Sequence, residues 1–167
     1  MVRSSAAFAI ALVTLACGPT EPGALCRARP PFTPATEANA VPVLLRFDNQ
    51  LGPRFRAESL CITIDDQTVP FTGPQEEEAM AAFEHHKLLE VRAPLRAGVP
   101  HKVHVVATFH GVGADVSTYT FTLQSEHRLE GEGFRPGVLR CNFIELPEHD
   151  LERRPAVKWV DPSVPAQ

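Results

Sequence analysis

The sequence lacks the short motifs by which common enzyme chemistries are recognised. It contains no GxSxG or SxxK, the patterns that present an activated serine. It has no HExxH, no CxxC and no histidine pair separated by one residue, which are typical of zinc sites. GxGxxG and Walker loops, which hold nucleotide phosphates on backbone amides, are also absent. We therefore predict a protein that is not an enzyme and that uses no cofactor.

Clustered positive charge is missing as well. The chain has 16 Lys and Arg against 20 Asp and Glu, a formal net charge of -4, and its basic residues occur singly or in pairs along the sequence. Nucleic-acid-binding domains usually carry a concentrated basic patch, so a nucleic-acid partner is not expected. With 44% hydrophobic and 22% charged residues, the 167-residue chain is typical of one globular domain with appendages.

No apolar run is long enough to span a bilayer. The longest, AAFAIALVTLA at residues 6–16, is far shorter than the roughly 20 residues that a membrane helix needs. One positive charge, Arg3, precedes it and Cys17 follows it, which is typical of a cleaved secretory signal at residues 1–16.

The stretch VTLAC before Gly18 resembles the lipobox of bacterial lipoproteins, although Thr14 stands where that motif usually has an aliphatic residue. The resemblance implies that Cys17 becomes the first mature residue, is lipidated and attaches the protein to a membrane. We expect an exported cell-envelope protein, anchored in the outer membrane and facing the periplasm or the cell surface. Ordinary signal cleavage that leaves Cys17 unmodified is the alternative.

Proline marks the ends of the chain. Of its 16 prolines, six lie in residues 18–42, a segment with little periodicity. Such a composition favours an extended, stiff chain, so residues 17–42 are predicted to be a lipidated cysteine and a spacer. We place the folded domain at residues 43–161 and a short tail at residues 162–167.

Alternation of apolar and polar residues dominates the middle of the chain. Odd-numbered apolar residues from Val103 to Phe109 and from Tyr119 to Leu123 alternate with mostly polar neighbours. GVGAD lies between them, with residues that tolerate the backbone angles of a tight turn. Residues 95–125 are therefore predicted to form a β-hairpin at the centre of a sheet.

The same period of two continues on both sides of the hairpin. It predicts strands that begin near Val43, Leu60, Leu89, Val138 and Arg154, with a turn at Asp65 and Asp66. Residues 75–86 allow one short helix, with an acidic loop as the alternative. About seven or eight short strands with at most one helix are typical of an all-β antiparallel sandwich, immunoglobulin-like in class. No topology is claimed, and a small β-barrel is the alternative.

Four cysteines are compatible with an oxidising compartment. If Cys17 carries lipid, then Cys26, Cys61 and Cys141 remain, and three single bridges are possible. Since Cys61 and Cys141 both lie in predicted strands, that pair is favoured. The alternative joins Cys26 to one of them and attaches the spacer to the domain.

Several polar residues are candidates for metal binding or catalysis, and each has a plainer interpretation. His104 and His110 share one face of a strand but lie about 20 Å apart along it, too far to share an ion. Asp65 and Asp66 fit a turn better than an acid–base pair, and Glu76–Glu78 fit a solvated face. Trp159, the only tryptophan, is a candidate partner-binding residue if exposed, and otherwise fixes the carboxy-terminal segment to the sheet.

The segments LRAGVPHKVHVVATFHGVG, STYTFTLQSEHRLE and ERRPAVKWV resemble a group of poorly characterised exported proteins from myxobacteria and their relatives. The resemblance covers about residues 60–161. It implies an envelope location and a β domain, and it supplies no catalytic residue and no ligand.

Two hypotheses of function follow. The first is a non-enzymatic, lipid-anchored β-sandwich that binds a protein or glycan partner in the cell envelope. The second is a metal-dependent or hydrolytic site assembled from loops that bring together His85, His86, Asp65 and Asp66. The absence of catalytic spacing favours the first.

Overall fold

A computed structural model describes residues 26–36, 38, 40–69, 76–130 and 137–160. This part of the chain contains eight strands, one α-helix and one short 3-10 helix. In chain order they are β1 (Ala40–Asn49), β2 (Phe55–Ile64), β3 (Gln67–Thr68), α1 (Glu76–Glu84), β4 (Leu89–Arg96), β5 (His101–Gly111), β6 (Thr120–Leu129), β7 (Gly137–Glu145), the 3-10 helix (Leu151–Arg153) and β8 (Pro155–Val160).

The strands form two four-stranded sheets that pack face to face, which confirms the predicted all-β sandwich. The first sheet has the order β4-β1-β7-β8 and the second has the order β3-β2-β5-β6. All strand pairs are antiparallel except β1 and β7, which run parallel from Val43 opposite Gly137 to Asn49 opposite Phe143. Among the described residues, no helix has the length and apolar character that crossing a membrane requires.

The predicted hairpin is confirmed, but it does not lie at the centre of a sheet, because β6 is an edge strand, and its turn is not tight. β5 and β6 pair continuously from His101 opposite Leu129 to His110 opposite Thr120. The connection is the eight residues 112–119 rather than GVGAD alone, because Val116 folds back and is fully buried. A Cβ atom on Gly111 would lie 2.0 Å from the carbonyl oxygen of Val116, so only glycine fits there.

The interior between the sheets is apolar because alternate residues of each strand point inward. Four phenylalanines, Phe47, Phe83, Phe109 and Phe143, are fully buried. Phe83 comes from α1, and its ring lies 6.3 Å from Phe109 and 5.4 Å from Phe143. The helix therefore closes one end of the sandwich and contacts both sheets.

β4 continues through Pro94 to Arg96. β4 is the edge strand of the first sheet, and a proline without an N–H is tolerated at an edge. The carbonyl oxygen of Pro94 still accepts a hydrogen bond, at 3.0 Å, from the backbone N–H of Ala35. This bond joins the predicted spacer to the folded domain.

Residues 26–36, which we call the strap, pack along the side of the sandwich where β3 and β4 form the two edges. Phe32 donates to Thr68 (2.7 Å), and Thr68 donates to Pro30 (2.8 Å). The backbone of Thr33 donates to the side chain of Gln67 at 2.9 Å. The ordered body thus includes Cys26 and the strap, upstream of the predicted boundary at Val43.

Candidate functional site

The four residues offered for a loop-assembled site are not brought together. Asp65 and Asp66 form the β2–β3 turn with positive φ angles of 48° and 62°, as their turn assignment predicted. His85 and His86 follow α1, which packs on Phe109. The strand partner of Phe109 is Ala57, eight residues before Asp65 and so about 25 Å away along β2. The histidines and the aspartates therefore lie at opposite ends of the sandwich.

Asp65 contacts a different histidine, His101, and both ring nitrogens of this histidine are already hydrogen-bonded. His101 Nδ1 lies 2.6 Å from Asp65 Oδ2, and Nε2 lies 2.8 Å from the carbonyl oxygen of Arg96. The second oxygen of Asp65 accepts from the backbone N–H of Lys102 at 2.8 Å. Since both ring nitrogens already have partners, neither is available to a substrate. The pair joins the β2–β3 turn to the β4–β5 turn.

The remaining histidines also lack a shared site. His104 and His110 lie on the outer face of the second sheet, as predicted. Burial lowers the pKa of His104, and the nearby Arg29 lowers it further, which favours the neutral ring. Within the described residues no group of three or more His, Cys, Asp or Glu side chains could hold a metal ion. Of the predicted acidic run, Glu78 is exposed on α1, and the side chains of Glu76 and Glu77 lie outside the described residues.

The favoured disulfide, Cys61 with Cys141, is wrong. Cys26 is bonded to Cys61 with a Cα–Cα distance of 5.7 Å, and Cys141 is a free, buried thiol. The reason is the face on which each cysteine lies: Cys141 points into the core, whereas Cys61 is on the outer face of the second sheet, under the strap. Burial raises the pKa of Cys141 strongly, so its thiol stays protonated and unreactive.

Trp159 is not an exposed anchor. Its ring packs on the edge of the core, 6.4 Å from Phe47, and stacks on His127 at 5.3 Å. Its Nε1 donates to Ser125 Oγ at 2.9 Å. Because β8 and β6 are the edges opposite the strap, this contact closes the second side of the sandwich. The alternative role, in which Trp159 fixes the carboxy-terminal segment, agrees with these contacts.

Replacing Trp159 by phenylalanine tests this closure. We expect the free energy of unfolding to fall by about 1 kcal/mol, because the bond to Ser125 is lost while most of the packing remains. Ser125→Ala should cost a similar amount, and the double variant should cost much less than the sum. Urea denaturation of the three variants provides the measurement. Strictly additive losses would contradict a direct bond between the two side chains.

The first sheet presents a surface that the sequence did not reveal. Its outward positions carry five cationic side chains: Arg46, Arg92, Arg96, Arg140 and Lys158. They carry only two carboxylates, Asp48 and Glu90. We call this outer surface of β4-β1-β7-β8 the cationic face. It holds five of the 16 basic residues but only two of the 20 acidic residues of a chain whose net charge is -4.

Strand pairing sets the positions of these charges. Arg46 lies opposite Glu90 on one side and Arg140 on the other. Its Nε donates to Glu90 Oε1 at 2.7 Å. The next row across the sheet is Arg92, Leu44 and Val138. Lys158 lies opposite Asn142, and Val160, 36% exposed, lies beside Arg140.

Three of the cations have no carboxylate partner in the part of the chain that the structure describes. Among the described residues no Asp or Glu lies within 4.0 Å of Arg92, Arg140 or Lys158, and all three are exposed. Arg46, opposite Arg140 on the adjacent strand, is paired with Glu90, and Arg140 therefore faces a cation and not a carboxylate on that side. The cationic face is therefore a suitable surface for an anionic partner.

Sequence reasoning missed this face because its members are far apart in the chain. They are single residues spread from position 46 to position 158, and strand pairing alone brings them together. The signal that was present is their parity, since each occupies the outward position of its strand. No protein-family model matches the chain, and neither a curated protein nor a solved structure matches it.

Proposed function

We propose that the chain is an exported, non-enzymatic β-sandwich, anchored to a cell-envelope membrane by lipid on Cys17, that binds a protein or glycan partner. The observation that supports export from the cytosol is the disulfide between Cys26 and Cys61. Disulfides form and persist in oxidising compartments outside the cytosol. The signal-like residues 1–16 and the lipobox-like VTLAC, which lie outside the described residues, support the same location.

The disulfide also determines where the anchor would join the domain. Cys17 precedes Cys26 by nine residues, and nine residues span at most about 30 Å. Cys26 is fixed to Cys61, on the outer face of the second sheet. A lipid on Cys17 would thus hold the domain close to the membrane by the side that carries the strap.

The binding step is supported by the cationic face. It is exposed, it carries unneutralised charge, and it belongs to the sheet opposite the attachment point. The polar residues considered for a catalytic site do not form one. His86 and Asp66 lie far apart, and Asp65 and His101 are hydrogen-bonded to each other. Binding through a surface fits this geometry better than catalysis in a pocket.

The mature amino terminus tests the proposal. Mass spectrometry of protein from envelope membranes should find a diacylglyceryl group on Cys17 and no residues before it. Cys17→Ser should abolish the modification and release the chain from the membrane fraction. Cys26→Ser is the matched control, because it also removes a cysteine of the same segment but should leave the chain membrane-bound. An intact Met1 on the native protein, or membrane attachment unchanged in Cys17→Ser, would overturn the anchor.

A further inference from the structure

We propose that the cationic face binds an anionic polysaccharide, a glycan that carries carboxylate or phosphate groups along its length. The inference deepens the proposed function, since it names the class of partner, and it rests on that function for the partner's presence in the envelope. The residues that we expect to make the contacts are Arg92, Arg140 and Lys158, with Arg46 beside them.

The chemistry of the face selects an anion. Arg92 and Arg140 are exposed guanidinium groups, whose planar donors match two oxygens of a carboxylate or phosphate at once. Lys158 adds a compact charge one row away from Arg140, across Asn142. Binding of an anionic chain would neutralise three cations that have no carboxylate partner in the described residues.

The shape of the face selects a polymer rather than a small molecule. Its cations lie on four adjacent strands, spaced about 4.8 Å per strand and about 6.6 Å per two residues along a strand. A small ligand is usually held in a concave pocket. A cleft of about 480 Å³ lies beside the strap and His101, at the side of the sandwich. An extended anion can reach several of these cations at once, whereas a small anion meets one or two.

A membrane surface fits the face less well. Surfaces that insert into lipid present large apolar groups that protrude, and here Leu44, Val138 and Ile144 are half-buried between the charges. The strap is joined to Cys61 on the opposite sheet, so a lipid on Cys17 would hold the domain by its other side. The attachment point and the cationic face would then lie on opposite sheets.

An acidic protein also fits less well. Protein interfaces concentrate their binding energy in buried aromatic anchors surrounded by a rim. The outward positions of β1, β4, β7 and β8 contain no Phe, Tyr or Trp. Recognition by this face is therefore dominated by charge, and its affinity should fall as salt is added.

The test compares two triple variants with the same change in net charge. Arg92→Gln, Arg140→Gln and Lys158→Gln remove charge from the cationic face. Arg27→Gln, Lys87→Gln and Arg128→Gln remove it from exposed positions elsewhere. The full chain, in a non-ionic detergent, is titrated with polygalacturonate, a carboxylate polymer, and with neutral dextran. Equal unfolding midpoints show that the variants fold alike.

We expect the wild type and the control triple variant to bind polygalacturonate and to ignore dextran. The face variant should bind on the order of tenfold more weakly, and raising the salt should weaken the wild type in the same way. Equal binding by both triple variants, or no binding by the wild type, would overturn the inference. Stronger binding to phosphatidylglycerol vesicles or to polyglutamate would assign the face to a membrane or to an acidic protein instead.

The outcome is separable from that of the proposed function. If the chain carries lipid on Cys17 but does not bind polygalacturonate, then the proposed anchor is retained and the anionic polysaccharide is rejected as the partner. If the chain binds polygalacturonate through the cationic face but begins at Met1, then the anionic polysaccharide is retained as the partner and the anchor is rejected.

Discussion

Replacing Phe143 by alanine should lower the free energy of unfolding by about 4 kcal/mol, a large share of the stability of an ordinary domain. Phe143 is fully buried on β7, and its ring lies 5.4 Å from Phe83 and 5.6 Å from Phe109. These three rings, the aromatic cluster, join α1 to both sheets. The loss combines buried apolar area, a cavity and two aromatic contacts. Urea denaturation followed by intrinsic fluorescence measures it.

Two controls separate the cluster from aromatic content in general. Phe143→Leu keeps most of the volume and should cost less than half as much. Tyr119→Ala removes a ring that is 38% exposed and stacks on Phe121 at 6.1 Å, so about 1 kcal/mol is expected. A loss below 1 kcal/mol in Phe143→Ala would show that α1 does not close the sandwich as described.

The strands could be predicted from the sequence because the information for them is local. Val103, Val105 and Phe109 point inward and their neighbours outward, whatever the strand pairs with. The alternation of apolar and polar residues also indicates which positions of a strand are buried. Leu45 and Leu139 are accordingly core residues. The turn at Asp65 and Asp66 was local too, since aspartate tolerates a positive φ.

Strand pairing was not predictable in the same way. Alternation says which face a residue occupies but not which strand lies beside it. The parallel pairing of β1 with β7 joins segments about 95 residues apart, and it alone places Arg46 next to Arg140. The cationic face therefore exists only at the level of tertiary structure. In the sequence the same residues are isolated charges, so the sequence correctly indicates that no basic run exists.

The cysteine pairing failed for a related reason. Cys61 and Cys141 were paired because both lie in predicted strands, but a position in a strand does not show that two cysteines face each other. Cys61 is instead covered by the strap, a segment whose proline content predicted a spacer. Proline removes donors and favours extended chain, and an extended chain can lie along an edge strand as well as extend into solvent. Composition alone does not separate these two outcomes.

Breaking the disulfide should therefore release the strap and cost about 4 kcal/mol. The bond joins residues 35 apart, and the chain-entropy model gives a stabilisation of that size for such a loop. We expect Cys26→Ser to lower the free energy of unfolding by this amount in urea. A reducing agent should lower the stability of the wild type to the same level and leave Cys26→Ser unchanged.

The buried thiol of Cys141 provides the control, because it is a cysteine of the core that forms no disulfide. Cys141→Ala should lose only about 1 kcal/mol, and it should keep the full response to the reducing agent. Peptide mapping without reduction should recover Cys26 linked to Cys61 in both the wild type and Cys141→Ala. If mapping instead links Cys61 to Cys141, or if the reducing agent changes nothing, then the strap is not held by this bond. The placement of the anchor opposite the cationic face would then lose its support, since it follows from Cys26 being fixed on the second sheet.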